Sequence, residues 1–161
     1  MGIDYEIRAA TEDDVSQIAR IVALAYAHYL PRIGKPPGPM LDNYERRVAD
    51  GVVWVIAQGQ GLAGFIVLIS APDHLLLDNV AVAPDYQGRG FGRRLLAFAE
   101  SFARGCGYRE IRLYTHERMV ESQRLYARLG YEETDRRTEA GYSRVFMRER
   151  LPDRETAQRP K

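Results

Sequence analysis

One stretch limits the fold of this chain more than any other, because an apolar strand there leads directly into a glycine-rich turn and a helix. The largely apolar run His74–Ala83 predicts a strand that ends at Pro84-Asp85, and glycines follow at positions 88, 90 and 92. From Arg89 onward, apolar residues recur at helical spacing on one stripe as far as Gly105. A strand, a tight turn and a helix in this order form the central unit of an α/β fold.

Hydrophobic periodicity and turn residues predict the other elements. The predicted strands are Ile3–Arg8, Val52–Gln58, Leu62–Ser70, Glu110–Thr115, Tyr131–Asp135 and Ser143–Glu149. The predicted helices are one that begins at Thr11 and is ended by Pro31, a second over Met40–Asp50 with Gly51 as its stop, and a later one over Met119–Leu129. The segment Pro31–Pro39, with four prolines and two glycines, is expected to be an irregular exposed loop.

Length and composition restrict the class of protein. The 161 residues predict one domain over residues 1–151, and the polar residues 152–161 are expected to form a frayed tail. The formal net charge of +1 excludes a global field that would attract a nucleic acid or an anionic membrane. The single cysteine, Cys106, excludes an internal disulfide and a multi-cysteine zinc site. Since no apolar run has the length of a membrane span and the N-terminus does not match a signal peptide, we expect a cytoplasmic protein.

The glycine-rich turn has the chemistry of an anion site. Glycines let the backbone approach a ligand closely, and the first turn of a helix presents unpaired N–H groups at the positive end of the helix dipole. Arg89, Arg93 and Arg94 add positive charge with no acid among them. A dinucleotide fingerprint beginning at Gly88 would need glycine at position 93, and no G-x-x-x-x-G-K-[ST] loop is present. The turn is therefore either a pyrophosphate site of a type other than these two motifs or, as the plainer alternative, a tight turn with a basic surface.

Two motifs resemble those of the GNAT-type N-acetyltransferases. Gln87-Gly88-Arg89-Gly90-Phe91-Gly92 matches each fixed position of the family's acyl-CoA signature. Leu125-Tyr126-Ala127-Arg128-Leu129-Gly130-Tyr131 matches the motif that ends a later helix of the family, and the predicted element order is also the family's. The resemblance implies an α/β, single-domain GNAT-like fold, with a mixed, mostly antiparallel sheet of about six to seven strands flanked by about four helices.

The resemblance implies acetyl-CoA (coenzyme A) as cosubstrate and no metal. Backbone groups of Val80 and Val82, on either side of Ala81, would pair with the pantetheine arm as an added strand does. In the family the strands near Val82 and Leu113 separate to admit the thioester. The cosubstrate would thus take the place of a strand.

The phosphates would be held by the turn itself. Backbone N–H groups from Gln87 to Gly92, with Arg93 just inside the helix, are implied to hold the pyrophosphate. Arg89 or Arg94 would reach the outer phosphates. The local basic cluster then has a defined ligand.

Tyr126 is implied to be the general acid. Acetyl transfer expels a thiolate whose conjugate acid has a pKa of about 8.5, and a phenol with a pKa of about 10 can protonate it within hydrogen-bond reach. The alternative is a core tyrosine on an amphipathic helix. Many members carry Asn seven residues and Ala four residues before this tyrosine, where this chain has Met119 and Ser122. Ser122 is expected to replace the missing contact to the cosubstrate.

The acceptor amine must lose a proton before it attacks, and the base is left open. Strand parity places Asp78 on the same side of its strand as Val80 and Val82. Some members of the family carry their base at the places of residues 76 and 78, so the resemblance makes Asp78 the first candidate, with a solvated carboxylate as the alternative. His116 at the end of the next strand is the second candidate, and His74 or a water remain. Tyr114 stands where other members carry Glu, so that route is closed.

The resemblance implies that the acceptor binds near the loop Pro31–Pro39, which is flanked by Tyr26, Tyr29, Met40 and Tyr44. The alternative is an ordinary surface loop with tyrosines that face the core. The predicted function is transfer of an acetyl group to a primary amine of a small molecule or peptide, by direct attack, with no nucleic-acid or membrane partner. A non-catalytic acyl-CoA-binding or regulatory module is the alternative, and a nucleotide-phosphate binder unrelated to coenzyme A is a third. A homodimer through the final strands is also expected.

Overall fold

The computed structural model describes residues 4–152, so the predicted tail beyond Pro152 and the start of the first predicted strand lie outside the described residues. Seven strands and five α-helices are found within these limits. The strands are β1 (Glu6–Ala9), β2 (Val53–Gln58), β3 (Gly61–Ser70), β4 (Leu75–Val82), β5 (Glu110–His116), β6 (Glu132–Glu139) and β7 (Tyr142–Arg150). The helices are α1 (Val15–Tyr26), α2 (Tyr29–Ile33), α3 (Tyr44–Ala49), α4 (Phe91–Gly105) and α5 (Val120–Arg128). Short 3-10 turns lie at Glu12–Asp14, Gly38–Leu41 and Pro84–Tyr86.

The strands form a mixed sheet in the order β1-β2-β3-β4-β5-β7-β6. β1 with β2, β2 with β3, β5 with β7 and β6 with β7 are antiparallel, whereas β4 and β5 are parallel. The parallel ladder is short and places Leu75 opposite Ile111 and Leu76 opposite Arg112. The predicted mixed, mostly antiparallel sheet is confirmed.

The described chain divides into two compact units, the first of which contains residues 4–69 and 78–98. Its core is centred on β3, where every residue from Leu62 to Leu68 is buried, as expected for a strand covered on both faces. Ile18 of α1 and Leu95 of α4 are fully buried as well. This unit contains the glycine-rich turn and the tyrosines expected near the acceptor.

The second unit contains residues 70–77 and 99–152. Leu113 of β5 and Met147 of β7 lie opposite each other in its sheet and are buried. β6, in contrast, is exposed from its first residue to Thr138, and ion pairs such as Arg148 with Glu132, 3.1 Å apart, join it to β7. This unit contains Tyr126.

The helix that was expected to run from Thr11 to Pro31 is two helices, and this prediction is wrong in where it ends. α1 ends at Tyr26, and Pro31 is the third residue of α2. The first N–H groups of a helix have no intrahelical partner, so a proline in the first turn costs no hydrogen bond. Regular structure therefore continues to Ile33 and stops at Gly34, which has a φ of +87°.

The predicted irregular loop and second helix are displaced accordingly. The segment after Gly34 contains a 3-10 turn over Gly38–Leu41, and α3 is shorter than the predicted Met40–Asp50. α3 begins where the Asn43 side chain accepts a hydrogen bond from the Arg46 N–H at 3.0 Å. The left-handed stop at Gly51, with a φ of +75°, is confirmed.

Candidate active site

The turn between β4 and α4 is an open, glycine-lined segment at the start of a 15-residue helix. Gly88 has a φ of +79° and Gly90 a φ of +85°, both in the left-handed region that favours glycine. A Cβ at Gly88 would meet nothing within 4 Å, whereas one at Gly90 would lie 3.2 Å from the Arg94 guanidinium. The first N–H groups of α4 lack intrahelical partners by the geometry of a helix start. The turn therefore has the shape and polarity that suit a phosphate.

The arginines of the turn are held by rings and by the backbone. Arg94 donates from Nη1 to the Arg89 carbonyl at 3.1 Å, and its guanidinium lies 5.6 Å from the Phe91 ring centre. Arg89 lies over the Tyr86 ring at 5.6 Å. Arg93 is exposed. Because none of these contacts is to a carboxylate, they leave the positive charge of the turn intact.

Two contacts show which way the backbone groups of β4 point. The Ala83 N–H donates to the Ala63 carbonyl of β3 at 2.8 Å. A Cβ added at Gly64 of β3 would lie only 2.5 Å from the Ala81 carbonyl oxygen. Ala81 and Ala83 thus direct their backbone groups toward β3. Since backbone groups alternate along a strand, the residues between and before them point to the opposite side.

Val80 and Val82 are these alternate residues, so their N–H and C=O groups point away from β3. The Val82 carbonyl accepts from Gln87 Nε2 at 3.2 Å. The Val80 carbonyl lies 3.3 Å from the Tyr26 hydroxyl. This is the side of β4 on which an added strand would pair.

A buried hydrogen-bond network joins Asn79 of β4 to α1, to α3 and to the segment before α3. Asn79 is only 5% exposed. The Tyr26 hydroxyl donates to Asn79 Oδ1 at 2.6 Å, and Asn79 Nδ2 donates to the Tyr44 hydroxyl at 2.8 Å. The Tyr44 hydroxyl in turn donates to the Pro39 carbonyl at 2.6 Å. Burial raises the pKa of Tyr44 far above its ordinary value, so this hydroxyl keeps its proton.

Sequence reasoning missed Asn79, although a signal was present. The residues of β4 alternate between buried and half-buried, and Asn79 is a polar side chain at a buried position among Leu75, Leu77 and Ala81. A polar residue in such a position needs hydrogen-bond partners, which the tyrosines supply.

The other residues expected near the acceptor also lie in the first unit. Tyr29 is buried, with its ring centre 6.1 Å from that of Tyr26 and 3.8 Å from that of His28. The Tyr44 ring packs edge-on against Phe65 at 5.5 Å. Met40 is half-buried in the 3-10 turn. Tyr26, Tyr29 and Tyr44 thus lie in the core of the first unit. Tyr44 also supports the segment before α3 through its hydrogen bond to the Pro39 carbonyl.

Asp78, the first candidate base, lies on the half-buried face of β4 together with Leu76, Val80 and Val82, which confirms the predicted parity. Its side chain is 13% exposed and lies 3.5 Å from the Arg47 guanidinium. Arg47 also pairs with Asp42 at 3.1 Å. The carboxylate of Asp78 is therefore held by a cation.

The two histidines considered as bases lie in the second unit and have partners of their own. His74 Nδ1 lies 2.7 Å from an oxygen of the Asp73 carboxylate. His116 Nδ1 accepts from the Arg118 N–H at 3.0 Å, which leaves Nε2 to carry the proton of the neutral ring. The ring of His116 meets that of Tyr142 edge-on at 6.2 Å.

Tyr126 lies on the buried side of α5, with 9% of its surface exposed. Its ring centre is 5.7 Å from that of Tyr131, which follows the helix. Met119 precedes α5 and gives it no side-chain cap. This methionine is buried, and its sulfur accepts a weak hydrogen bond from the Thr115 hydroxyl at 3.8 Å. Ser122 is half-buried in the first turn. Met119 therefore packs in the core instead of presenting a polar group.

A second buried polar cluster, not anticipated from the sequence, lies in the same unit. Glu149 of β7 and Tyr131 are 7% and 4% exposed, and the Tyr131 hydroxyl and Glu149 Oε2 have no hydrogen-bond partner among the described residues. Burial, together with a hydrogen bond to Glu100, raises the pKa of Glu149 to about 8, while Arg104 acts in the opposite direction. Burial next to this carboxyl raises the pKa of Tyr131 far above its ordinary value.

Within residues 4–152, no group of three or more His, Cys, Asp or Glu side chains is arranged to hold a metal ion. In the same part of the chain, no helix combines the length and the apolar character that crossing a bilayer requires.

A family model described as the acetyltransferase (GNAT) family matches residues 18–131, which include the glycine-rich turn and Tyr126. N-alpha-acetyltransferase 80 of Mus musculus is 43% identical over 65 residues, which amount to 40% of this chain. The match spans only 19% of that relative's own length. The resemblance found in the two motifs is thereby confirmed.

Solved structures with the same fold are similar over nearly the whole chain. The paiA N-acetyltransferase from Thermoplasma acidophilum, in complex with coenzyme A, has a TM-score of 0.78 at 18% identity, over 92% of this chain and 99% of that one. The ribosomal-protein-S18-alanine N-acetyltransferase from Escherichia coli has a TM-score of 0.72 at 23% identity, over 92% and 94%. The yncA protein from Salmonella typhimurium, with its cofactor acetyl-CoA, has a TM-score of 0.70 at 22% identity, over 98% of both chains. These similarities confirm the predicted α/β fold class.

Proposed function

The chain belongs to the acetyltransferase (GNAT) family, and from that premise we propose that it moves an acetyl group from acetyl-CoA to a primary amine of a small molecule or peptide, by direct attack in a ternary complex. The observation that carries this proposal is the turn before α4. There, Gly88 and Gly90 adopt left-handed conformations at a helix start, beside arginines that no turn carboxylate neutralises. This combination suits a pyrophosphate.

The residues of the first unit fit acetyl-CoA as cosubstrate. The N–H groups from Gln87 to Gly92 and the exposed Arg93 would hold the pyrophosphate, and Arg89 or Arg94 would reach the outer phosphates. Val80 and Val82, whose backbone groups point away from β3, would pair with pantetheine. Bound in this way, acetyl-CoA would supply a thioester as the activated acetyl donor.

The proposed reaction needs one base, one donor to the carbonyl oxygen and one acid. The amine nitrogen forms a bond to the acetyl carbon as its proton passes to the base, and the carbon–sulfur bond breaks. An N–H of Val80 or Val82 would stabilise the charge that develops on the carbonyl oxygen. The Tyr126 hydroxyl would protonate the departing thiolate. Ser122, in the first turn of the same helix, would contact the cosubstrate in place of the family's asparagine.

Asp78 is our first candidate for the base. Its side chain lies on the same face of β4 as Val80 and Val82, and a carboxylate in that place could take up the proton of the acceptor amine. Asp78→Asn is expected to lower kcat and to change its pH dependence. Unchanged kinetics in this variant would assign the step to His74, His116 or water.

The acceptor is proposed to bind beside Tyr26, Tyr29, Met40 and Tyr44. Tyr26, Tyr29 and Tyr44 are buried, so we propose that they hold this part of the first unit in place and that the half-buried Met40 contacts the acceptor. An amine with an apolar part would match this side chain.

A thiol-release screen tests the proposal. Purified protein is incubated with acetyl-CoA and a panel of amino acids, peptides with a free N-terminus, antibiotic-like amines and small polyamines, and free thiol is measured. Turnover with at least one amine is expected. Coenzyme A binding without thiol release from any amine would instead support the non-catalytic module. Stabilisation by ATP or NAD but not by acetyl-CoA in a thermal-shift assay would support a nucleotide binder.

Tyr126→Phe tests the proposed acid on the best amine of that panel. Loss of a general acid is expected to lower kcat by about 100-fold or more, with coenzyme A affinity unchanged. Tyr108→Phe is the matched control, because the Tyr108 hydroxyl donates to the Ala71 carbonyl at 2.7 Å and has no proposed role in catalysis. Equal activity of the two variants would remove Tyr126 from the mechanism.

A homodimer through the final strands is a further proposal. β6 is the last strand in the sheet order, and its side chains are exposed and of both charges. Such an edge can pair with a second copy, although charged side chains also restrain edge pairing. Sedimentation velocity at low and high salt tests this, and a monomer at all concentrations would exclude the dimer. The cytoplasmic location stays a prediction.

A further inference from the structure

The Tyr26 hydroxyl lies between two acceptors on β4. It is 2.6 Å from Asn79 Oδ1 and 3.3 Å from the Val80 carbonyl oxygen. A hydroxyl carries one proton, and the shorter contact is the stronger hydrogen bond. The proton of Tyr26 is therefore directed to Asn79, and the Val80 carbonyl receives only a weak contact.

Asn79 is fixed in the orientation that this requires. Its Nδ2 donates to the Tyr44 hydroxyl at 2.8 Å, and that hydroxyl donates onward to the Pro39 carbonyl. The amide cannot turn without losing this contact, so Oδ1 stays directed at Tyr26. Asparagine is otherwise disfavoured inside a strand, and a buried amide is tolerated only when it is hydrogen-bonded.

The neighbouring carbonyl on the same side of β4 is already engaged. Val82 accepts from Gln87 Nε2 at 3.2 Å. Both carbonyls point away from β3. The availability of the Val80 carbonyl as a hydrogen-bond acceptor thus depends on which oxygen the Tyr26 hydroxyl donates to.

We propose that Asn79 is a positioning residue for the cosubstrate. Its Oδ1 accepts the hydrogen bond of the Tyr26 hydroxyl and thereby keeps the Val80 carbonyl available to the pantetheine arm of coenzyme A. The inference rests on the proposed function, since it assumes that this carbonyl binds pantetheine. Without Asn79 Oδ1, the Val80 oxygen is the remaining one of these two acceptors, and the tyrosine hydroxyl would compete with the ligand for it.

Calorimetric titration with coenzyme A tests the proposal. Asn79→Leu is expected to weaken coenzyme A binding by about two- to tenfold, the range of one neutral hydrogen bond. Adding Tyr26→Phe removes the competing hydroxyl and is expected to restore the affinity to within about twofold of wild type. A purely structural role for Asn79 predicts the opposite, namely no recovery in the double variant.

Tyr108→Phe is the matched control. It deletes a tyrosine hydroxyl that donates to the Ala71 carbonyl at 2.7 Å and lies outside the network of Asn79. Its coenzyme A affinity is expected to equal that of wild type. Should the leucine variant be insoluble, Asn79→Ser serves instead, because its hydroxyl is too short to replace Oδ1. Weakened binding in Tyr108→Phe, or unchanged binding in both Asn79 variants, would overturn the inference.

A second ligand separates this inference from the proposed function. Adenosine 3′-phosphate 5′-diphosphate, the part of coenzyme A that remains when pantetheine is removed, keeps the pyrophosphate and is expected to bind wild type and Asn79→Leu equally. If wild type bound neither ligand, the proposed function would fail. If wild type bound coenzyme A and Asn79→Leu lost affinity for both ligands alike, only the role of Asn79 would fail.

Discussion

The two units each bury a cluster of tyrosines with an amide or an acid, and the clusters differ in how completely they are hydrogen-bonded. In the first unit, Asn79 has a partner at both ends, one hydroxyl at 2.6 Å and another at 2.8 Å. In the second unit, Tyr131 and Glu149 each keep a buried oxygen with no partner among the described residues. Similar side chains thus have opposite energetic roles, because a satisfied polar network stabilises a core while an unsatisfied one costs free energy.

The two clusters also differ in whether their protonation changes with pH. Asn79 is neutral at every pH, and its hydrogen bond to Tyr44 opposes the effect of burial on the pKa of that tyrosine. Glu149 has a neighbour of its own type, Glu100, and burial holds its proton up to about pH 8. The amide of the first cluster therefore has the same charge at every pH, whereas the carboxyl of the second titrates.

Asn79→Leu is expected to have the largest effect on stability. It leaves the buried hydroxyls of Tyr26 and Tyr44 each without its amide partner, which costs on the order of 2–4 kcal/mol in the free energy of unfolding. Urea denaturation measures this, with Asn43→Leu as control. The Asn43 side chain is exposed and caps α3 through one hydrogen bond, so its loss should cost only about 1 kcal/mol. Equal losses of unfolding free energy in the two variants would contradict a larger contribution from the buried Asn79 side chain than from the exposed Asn43 side chain.

Glu149→Gln is expected to have the next largest effect, seen in the pH dependence of stability. The pKa of Glu149 is about 8 in the folded protein and near its ordinary value when unfolded, so the folded state binds the extra proton between these values. Stability from this group is fully present below the unfolded pKa and is lost as pH rises through about 8. Wild type should therefore lose on the order of 3 kcal/mol between pH 5 and pH 8 relative to the glutamine variant.

Thermal and urea unfolding from pH 5 to pH 8.5 measure this difference. Glu100, Arg104 and Tyr131 face the same carboxyl and remain in both proteins, so the comparison reports the titration of Glu149 together with its coupling to these groups. Parallel curves for wild type and Glu149→Gln would show that the carboxyl is ionised in the folded protein throughout this range.

The contrast explains why one part of the site could be predicted from sequence and the other could not. The glycine-rich turn depends on local chemistry, so the spacing of Gly88 and Gly90 at a helix start was sufficient, and both glycines have the left-handed backbone that such a turn needs. The partners of Asn79 lie 53 and 35 residues away in sequence, so no local pattern connects them. Glu149 lies at a buried position of an alternating strand, but its neighbour Glu100 comes from a distant helix.

Two predicted element ends differ from the structure, one at Pro31 and one in β6, and each difference has a local cause. Pro31 predicts the end of a helix, but proline is also tolerated in the first turn of a new helix. The sequence around Pro31 does not distinguish these two cases. β6 extends to Glu139, beyond the predicted end at Asp135, because its charged residues pair with β7, as Arg144 does with Glu139 at 3.0 Å. Cross-strand ion pairs of this kind allow a strand without the alternating apolar pattern.

Removing single hydroxyls gives the smallest effect and the most direct comparison of the two clusters. Tyr44→Phe deletes a hydroxyl with two partners and is expected to lower the free energy of unfolding by about 1–2 kcal/mol. Tyr131→Phe deletes a hydroxyl with no described partner and should be neutral or stabilising by up to about 1 kcal/mol. Both substitutions remove the same atom from a ring that is at least nine-tenths buried, so volume and apolar area cancel. Urea denaturation at pH 7 decides between the two signs, and a destabilised Tyr131→Phe would mean that its hydroxyl is hydrogen-bonded in solution, through an ordered water or through the Glu149 carboxyl.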